Sequence, residues 1–256
     1  MVSLLEFTCS AGRKFPVEVR RRKGTRHLRL RLNVHNCIVV SMPWHGSDRS
    51  CLKFIDQNRQ WLERQINAAP EVISVREWLQ QSPWLTAAGR SFAVTIKVAF
   101  HTRRAYYRIE AEEAGIGLHL PVQSEGDALS ALVRKFARES LAGRVAEQAE
   151  RFGLNLSKVS VRDQSSRWGS CSSRKTISLN WRLVLIPPRL QDYVICHELA
   201  HLTEMNHSRR FWNLLESYDP DRREHELELD ARTPQIMRVR SVGVECYALL
   251  VLREKE

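Results

Sequence analysis

The sequence has no C-x-x-C pair, no internal repeat and no low-complexity tract, and no apolar run nears the roughly 18 residues of a membrane span. Each absence removes a class of protein. The six cysteines, Cys9, Cys37, Cys51, Cys171, Cys196 and Cys246, are too scattered for a disulfide framework or a zinc ribbon. Reduced thiols in a cytoplasmic protein are the expectation. Met1–Phe7 has neither a basic n-region nor an adequate apolar h-region, so no signal peptide is read there. Acidic residues are also short: 29 Asp and Glu against 40 Lys and Arg leave a formal charge of +11. Arg20 to Lys23, with Arg26, Arg29 and Arg31, concentrate that charge. Such a cluster either attracts the phosphates of nucleic acid or is a solvated strand face that keeps the protein soluble.

What is present suffices for a sizeable core, since 43% of the 256 residues are hydrophobic. Leu28, Leu30, Leu32 and Val34 alternate with Arg29, Arg31 and Asn33, the period of a half-buried antiparallel sheet. Ser47-Asp48 offers a cap for a helix reaching Asn67, with Leu52, Ile55, Trp61, Leu62 and Ile66 on its inner side. The stretch from Pro70 to Pro83 reads as a connector. Alternation returns over residues 91–100, continues at Tyr107 and Ile109, and recurs at Ile116, Leu118 and Leu120. From Ser124 the period becomes helical, through Leu129, Leu132, Val133, Phe136, Leu141, Val145 and Phe152 to a stop at Gly153. Val159–Val161 and Thr176–Leu183 are short strands, and Pro187-Pro188 suits the first turn of another helix.

That helix carries His197-Glu198-Leu199-Ala200-His201, an H-E-x-x-H pattern. Residues four apart share one helical face, so both imidazoles reach the same ion. Imidazole nitrogen suits Zn²⁺ at about 2.0–2.1 Å, and a catalytic site takes three protein ligands plus a water. Glu198, one step round the helix, is placed to take a proton without being a ligand. The pattern also arises by chance on ordinary helices. Here an apolar helical context, a strand just before it and a further histidine six residues on favour a zinc site. His207 has the offset of the third metzincin histidine, although Glu204 stands where that pattern has glycine. Glu204 itself, or Glu216, Glu224 or Glu228 further on, is the alternative third ligand. Candidates for stabilising a developing oxyanion are Tyr193, Tyr218, His225 and Arg167. Ile177–Leu183 is a candidate edge strand for an extended substrate. His225-Glu226-Leu227-Glu228 lacks a second histidine at the right spacing and reads as an exposed acidic face.

Gln164–Ser173, Ile177–Arg182, His197–His201 and Asn206–Trp212, in this order, resemble the YgjP-like metallopeptidases, relatives of the SprT-type zinc proteases. The resemblance covers roughly residues 15–220 and is strongest over 125–215. It implies a zinc-dependent peptidase domain with His197, His201 and His207 as ligands and Glu198 as base. The predicted class is α+β: a β-rich basic region over residues 1–122, a zincin-like domain over 123–230, and an extension over 231–256. In that extension Val242–Leu252 is a candidate strand. Arg167, Trp168 and Asn180 are read as substrate-binding residues beside the cleft. The expected partners are a protein or peptide substrate and nucleic acid on the basic region, with no membrane. SprT-type relatives are associated with DNA and with proteins attached to it. The rival reading is a zinc-stabilised nucleic-acid-binding module with little peptidase activity.

Overall fold

The computed structural model describes residues 4–33, 36–69, 71–110, 114–122 and 125–240. The chain divides into two compact units, the first built on residues up to Val72 and the second on Ile73–Gly243.

In the first unit β1 (Leu4–Thr8), β2 (Lys14–Arg22), β3 (Arg29–Leu32) and β4 (Ile38–Pro43) form a sheet in the order β1-β2-β4-β3. β2 and β4 are parallel, with Arg22 opposite Pro43, and β3 is antiparallel to β4, with Arg29 opposite Ser41. The end of β2, the start of β3 and the end of β4 therefore meet at one end of the sheet. Val17, Val19, Ile38, Val40 and Met42 are buried, while Arg29 and Arg31 face water as the alternation predicts. Helices α1 (Asp48–Gln57) and α2 (Arg59–Ala68) complete this core. The single helix predicted here is interrupted at Asn58, whose backbone N–H and side-chain amide both donate to Phe54 O, at 3.2 and 2.8 Å. Across that break the inner stripe is Cys51, Ile55, Leu62 and Ile66. Leu52 and Trp61 are exposed rather than core.

The second unit starts with β5 (Ile73–Ser74) and α3 (Val75–Gln81), where a connector is expected. A capping box starts α3: Glu77 N–H donates to Ser74 Oγ, and Ser74 N–H donates to the Glu77 carboxylate. Trp78 and Leu79 are thereby committed to the core. β6 (Trp84–Ala87) and β7 (Arg90–Ala99) are joined by Ala88-Gly89, both at positive φ (48° and 70°), the conformation a two-residue hairpin turn requires. With β8 (Tyr106–Glu110) and β9 (Gly115–Pro121) they form a sheet in the order β6-β7-β9-β8. The long helix α4 (Glu125–Arg151) shares one apolar core with this sheet, Leu132, Val133 and Phe136 clustering with Leu118 and Leu120.

A three-stranded sheet follows, made of β10 (Lys158–Arg162), β11 (Gly169–Cys171) and β12 (Thr176–Asn180) in the order β10-β12-β11. β12 is thus the central strand, paired on both sides, and the edge expected from Ile177–Leu183 does not exist. The chain leaves β12 directly into a 3-10 turn, Trp181–Leu185. β10 and β11 are the edge strands instead, and β11 packs against α5 (Pro188–Ala200). Pro188 sits at the start of α5, where the proline nitrogen forfeits no hydrogen bond. α6 (Arg209–Tyr218) and α7 (Arg222–Ile236) follow, and β13 (Val239–Arg240) returns to pair with β5. The class is the predicted α+β. The strand expected over 242–252 lies outside the described residues. Among the described residues no helix is long and apolar enough to cross a membrane.

Candidate metal centre

α5 delivers the histidines. His197 lies in its last turn, and His201 closes the helix as its C-terminal cap. The chain then turns through residues 202–207 and re-enters helix at α6, where Phe211 N–H donates to Ser208 Oγ at 3.5 Å. That reversal brings His207 back over the end of α5. The potential ligand atoms of His197, His201 and His207 all lie within 4.8 Å of one another, and Nε2 of His197 is 3.1 Å from Nε2 of His207. Two nitrogens bound tetrahedrally at zinc distances are separated by about 3.3 Å. His201 Nδ1 is 3.0 Å from Glu204 O. A carbonyl only accepts, so Nδ1 carries the proton and Nε2 keeps its lone pair for an ion. Burial, then the neighbouring His201 and His207, depress the His197 pKa to about 4, which keeps its imidazole in the neutral, ligating form.

Glu198 is 6% exposed, and its Oε2 has no hydrogen-bond partner among the described residues. Burial pushes its carboxyl up to about 8, against a smaller opposing pull from Arg167. An enclosed carboxylate without a partner is costly unless positive charge is supplied nearby. The donor set therefore fits a divalent cation. It comprises three imidazoles whose ligand atoms converge and, beside them, an acid with an unpartnered oxygen. Among the described residues these histidines are the one such cluster of potential ligands. The carboxylate alternatives are not part of this cluster. Glu228 is held by Arg189, at 2.7 Å, and by Arg232, at 2.9 Å, and Glu204 contributes its backbone carbonyl to His201. Glu216 and Glu224 stand outside the cluster.

Sequence reasoning leaves two residues of this centre unassigned. Phe211 stacks on the His201 ring (4.5 Å between centroids, 27°), and Trp212 stacks on His207 (5.5 Å, 25°). Their spacing suggests only a short amphipathic helix. What identifies them is the hydroxyl cap at Ser208, directly after His207, which starts α6 beneath the ligands.

The loop before β11 is pinned from behind. Asn180 is completely buried, and its amide donates to Gln164 O (2.8 Å) and Arg167 O (3.1 Å). Enclosed in this way, Asn180, expected from the sequence to bind substrate, holds the loop. Arg182, equally buried, donates to Asp163 (2.6 Å) and to Val239 O (2.9 Å). Trp168 Nε1 donates to Thr233 Oγ1 on α7 at 2.8 Å, and its ring lines a cavity of about 180 Å³ with Tyr193, Val194, Leu229, His197 and Glu198. Arg167 is exposed, in the wall of a wider polar groove that runs along β10–β12.

Gly169 is the point of closest approach. A β-carbon there would stand 2.5 Å from Glu198 Oε1 and 2.6 Å from its Cγ. The absent side chain is what allows β11 to pass over the acid. Gly169→Ala is therefore expected to displace the carboxylate by a fraction of an ångström or more. Any turnover that depends on Glu198 should fall about a hundredfold at full metal content, since misplacements of that order cost as much. Equal kcat in metal-replete wild type and variant would show that Glu198 tolerates the displacement.

Two other candidate donors have partners of their own. Tyr218 stacks on Phe152 (3.9 Å between centroids), and burial and the charge of Cys196 raise its pKa. Its phenol thus belongs to the flank of α5 that carries Cys196. His225 Nδ1 lies 2.7 Å from Asp219 Oδ2, and its ring is 6.3 Å from that of Tyr193. The stretch predicted as an exposed acidic face is therefore divided. Leu227 is exposed, while His225 and Glu228 are partnered.

Mixed sheets behind a helix carrying two histidines and a glutamate are the architecture of a metallopeptidase, and this chain is one. It belongs to the YgjP-like family: the family model described as YgjP-like, metallopeptidase domain, matches residues 26–232. No curated protein matches the chain. Among solved structures it is similar to the metallopeptidase zymogens jannalysin of Methanocaldococcus jannaschii and abylysin of Pyrococcus abyssi. Identity is 27% and 24%, over 36% and 37% of this chain and 95% and 94% of those chains, with a TM-score of 0.33 for each.

Proposed function

We propose that the protein is a zinc-dependent peptidase in which His197, His201 and His207 hold the ion and Glu198 is the general base. The observation that carries this reading is the convergence of three imidazoles, within 4.8 Å, beside a buried carboxylate with a free oxygen. Zinc in that place would supply Lewis acidity towards a peptide carbonyl and make water a nucleophile near neutral pH. Glu198 accepts the proton that the attacking water gives up and returns it to the leaving amine. Phe211 and Trp212 hold the rings of His201 and His207 in place. Asn180 and Arg182 fix the loop that carries Arg167 and Trp168. Arg167, the exposed cation whose charge reaches Glu198, is assigned to the substrate carbonyl oxygen. β11 offers backbone groups along its free edge, where an extended peptide adds as a further strand.

The test is casein cleavage before chelation, after it, and after zinc is restored. Loss followed by recovery is expected, and activity that the chelator leaves untouched would sink the reading.

The cavity walled by Trp168, Tyr193, Val194 and Leu229 opens on His197 and Glu198 and is apolar apart from them. It has room for one medium-sized apolar side chain next to the scissile bond. We infer a preference for aliphatic or aromatic residues there. Narrowing the cavity by Leu229→Phe should lower kcat/KM about tenfold for leucine peptides relative to alanine peptides, the scale on which apolar pockets discriminate. Parallel losses on both peptides would argue against this pocket. The excess of 40 Lys and Arg over 29 Asp and Glu supports proteins carried on nucleic acid as a substrate class.

A further inference from the structure

We infer that the first unit carries a binding site for single-stranded nucleic acid at the end of its sheet, with Trp44 as the platform on which a base stacks. The basic cluster near the N-terminus is not one population of charges. Arg20 is paired with Glu18, and Arg21 with Asp48. Arg22, Lys23, Arg26 and Arg29 have no carboxylate partner among the described residues, and all four are exposed. The topology gathers them. Arg22 ends β2, Arg29 starts β3, and the parallel pairing of β2 with β4 puts the end of β4 beside both. Gly24, at φ +80°, turns the chain between them, a conformation in which a side chain would be strained.

Two adjoining hollows, of about 360 and 490 Å³, share Arg22, Gly24 and Thr25 in their walls. Arg26, His27 and Arg29 line the first, and Lys23, Trp44 and His45 line the second. Among the described residues no carboxylate lines either. Trp44 is 54% exposed, although it directly follows the buried β4 and caps the sheet end with Pro43. A large aromatic ring left in water among unpaired cations is the composition that binds a polyanion with unstacked bases. A duplex satisfies the cations but offers the ring no free base. An anionic membrane also attracts the cations, and vesicles are therefore one arm of the test.

The inference stands apart from the peptidase reading, because it uses no residue of the metal centre. The test is the binding of a fluorescein-labelled 15-nucleotide dT oligomer to the full chain across a salt series. Neutralising three to four phosphates gives a slope of log K against log salt of about −2 to −3 on a single strand. Trp44→Ala is expected to weaken binding about tenfold with the slope unchanged, and Trp44→Phe to restore most of it. The triple exchange Lys23→Glu, Arg26→Glu and Arg29→Glu should flatten the slope and abolish measurable binding at 150 mM salt. Glu198→Gln should bind like wild type, so a failure of the peptidase reading leaves this result standing. Binding indifferent to both sets of variants would overturn the proposal. So would equal affinity, equally indifferent to Trp44, for the matching duplex or for vesicles of phosphatidylserine and phosphatidylcholine.

Discussion

Glu198→Gln is expected to keep its metal and lose peptidase activity by about 10²–10⁴-fold, the usual contribution of a positioned general base. Glutamine has the shape of the residue it replaces, so the close passage of Gly169 over the side chain survives the exchange. It cannot accept a proton, and that is the one property removed. The fold should not suffer. Among the described residues Glu198 makes no ion pair and one of its carboxylate oxygens is buried without a partner, and burial disfavours its charged form. Removing that charge therefore leaves no other charge stranded, in contrast to breaking a buried pair. The melting temperature of the metal-free variant should be no lower than that of metal-free wild type. Kinetics, metal analysis and thermal melts on the same preparation separate these effects, and wild-type turnover by the variant would remove Glu198 from its role.

His207→Ala is expected to weaken zinc binding at least a hundredfold, because even the loss of a ligand's outer-shell partner costs ten- to a hundredfold. Activity should fall in proportion to metal content and recover in part at high zinc. The His207 side chain is exposed, so its removal leaves the core of α5 and α6 intact. Glu216→Gln, Glu224→Gln and Glu228→Gln serve as the counterpart. Each should retain its metal, and Glu228→Gln should lose only its pairs with Arg189 and Arg232, which are worth little at a solvent-exposed helix surface. Normal zinc affinity in His207→Ala, with loss in one of the glutamate variants, would move the third ligand to that glutamate.

The centre is more legible in the sequence than the fold around it. Four-residue spacing on a helix has one geometric meaning, so His197 and His201 could be placed without a structure. His207 is harder, since its position depends on how the chain reverses after His201. Ser208 holds the cue, as a hydroxyl cap that starts α6 at once. Asn180 shows the limit of reading by neighbourhood. It adjoins the site in sequence but faces inward, and its amide is used on Gln164 and Arg167 carbonyls. The strand after the loop shows another limit. Alternation at Ile177 and Leu179 reveals a strand but not its neighbours, and the partner β11, only three residues long, has too little pattern to announce itself. Between Pro70 and Pro83 composition concealed a signal that was present, the Ser74–Glu77 capping box. Trp44 had no periodicity to mark it. Its exposure follows from where β4 stops.

Anomalous scattering from a crystal of the zinc-loaded chain, recorded on either side of the zinc absorption edge, tests the central claim most directly. One peak is expected, about 2.0–2.1 Å from Nε2 of His197, His201 and His207, with Glu198 near it but not bound. A peak coordinated by Glu198 or by a carboxylate of α6 or α7 would contradict the three-histidine centre, as would full zinc occupancy with no peak at these residues.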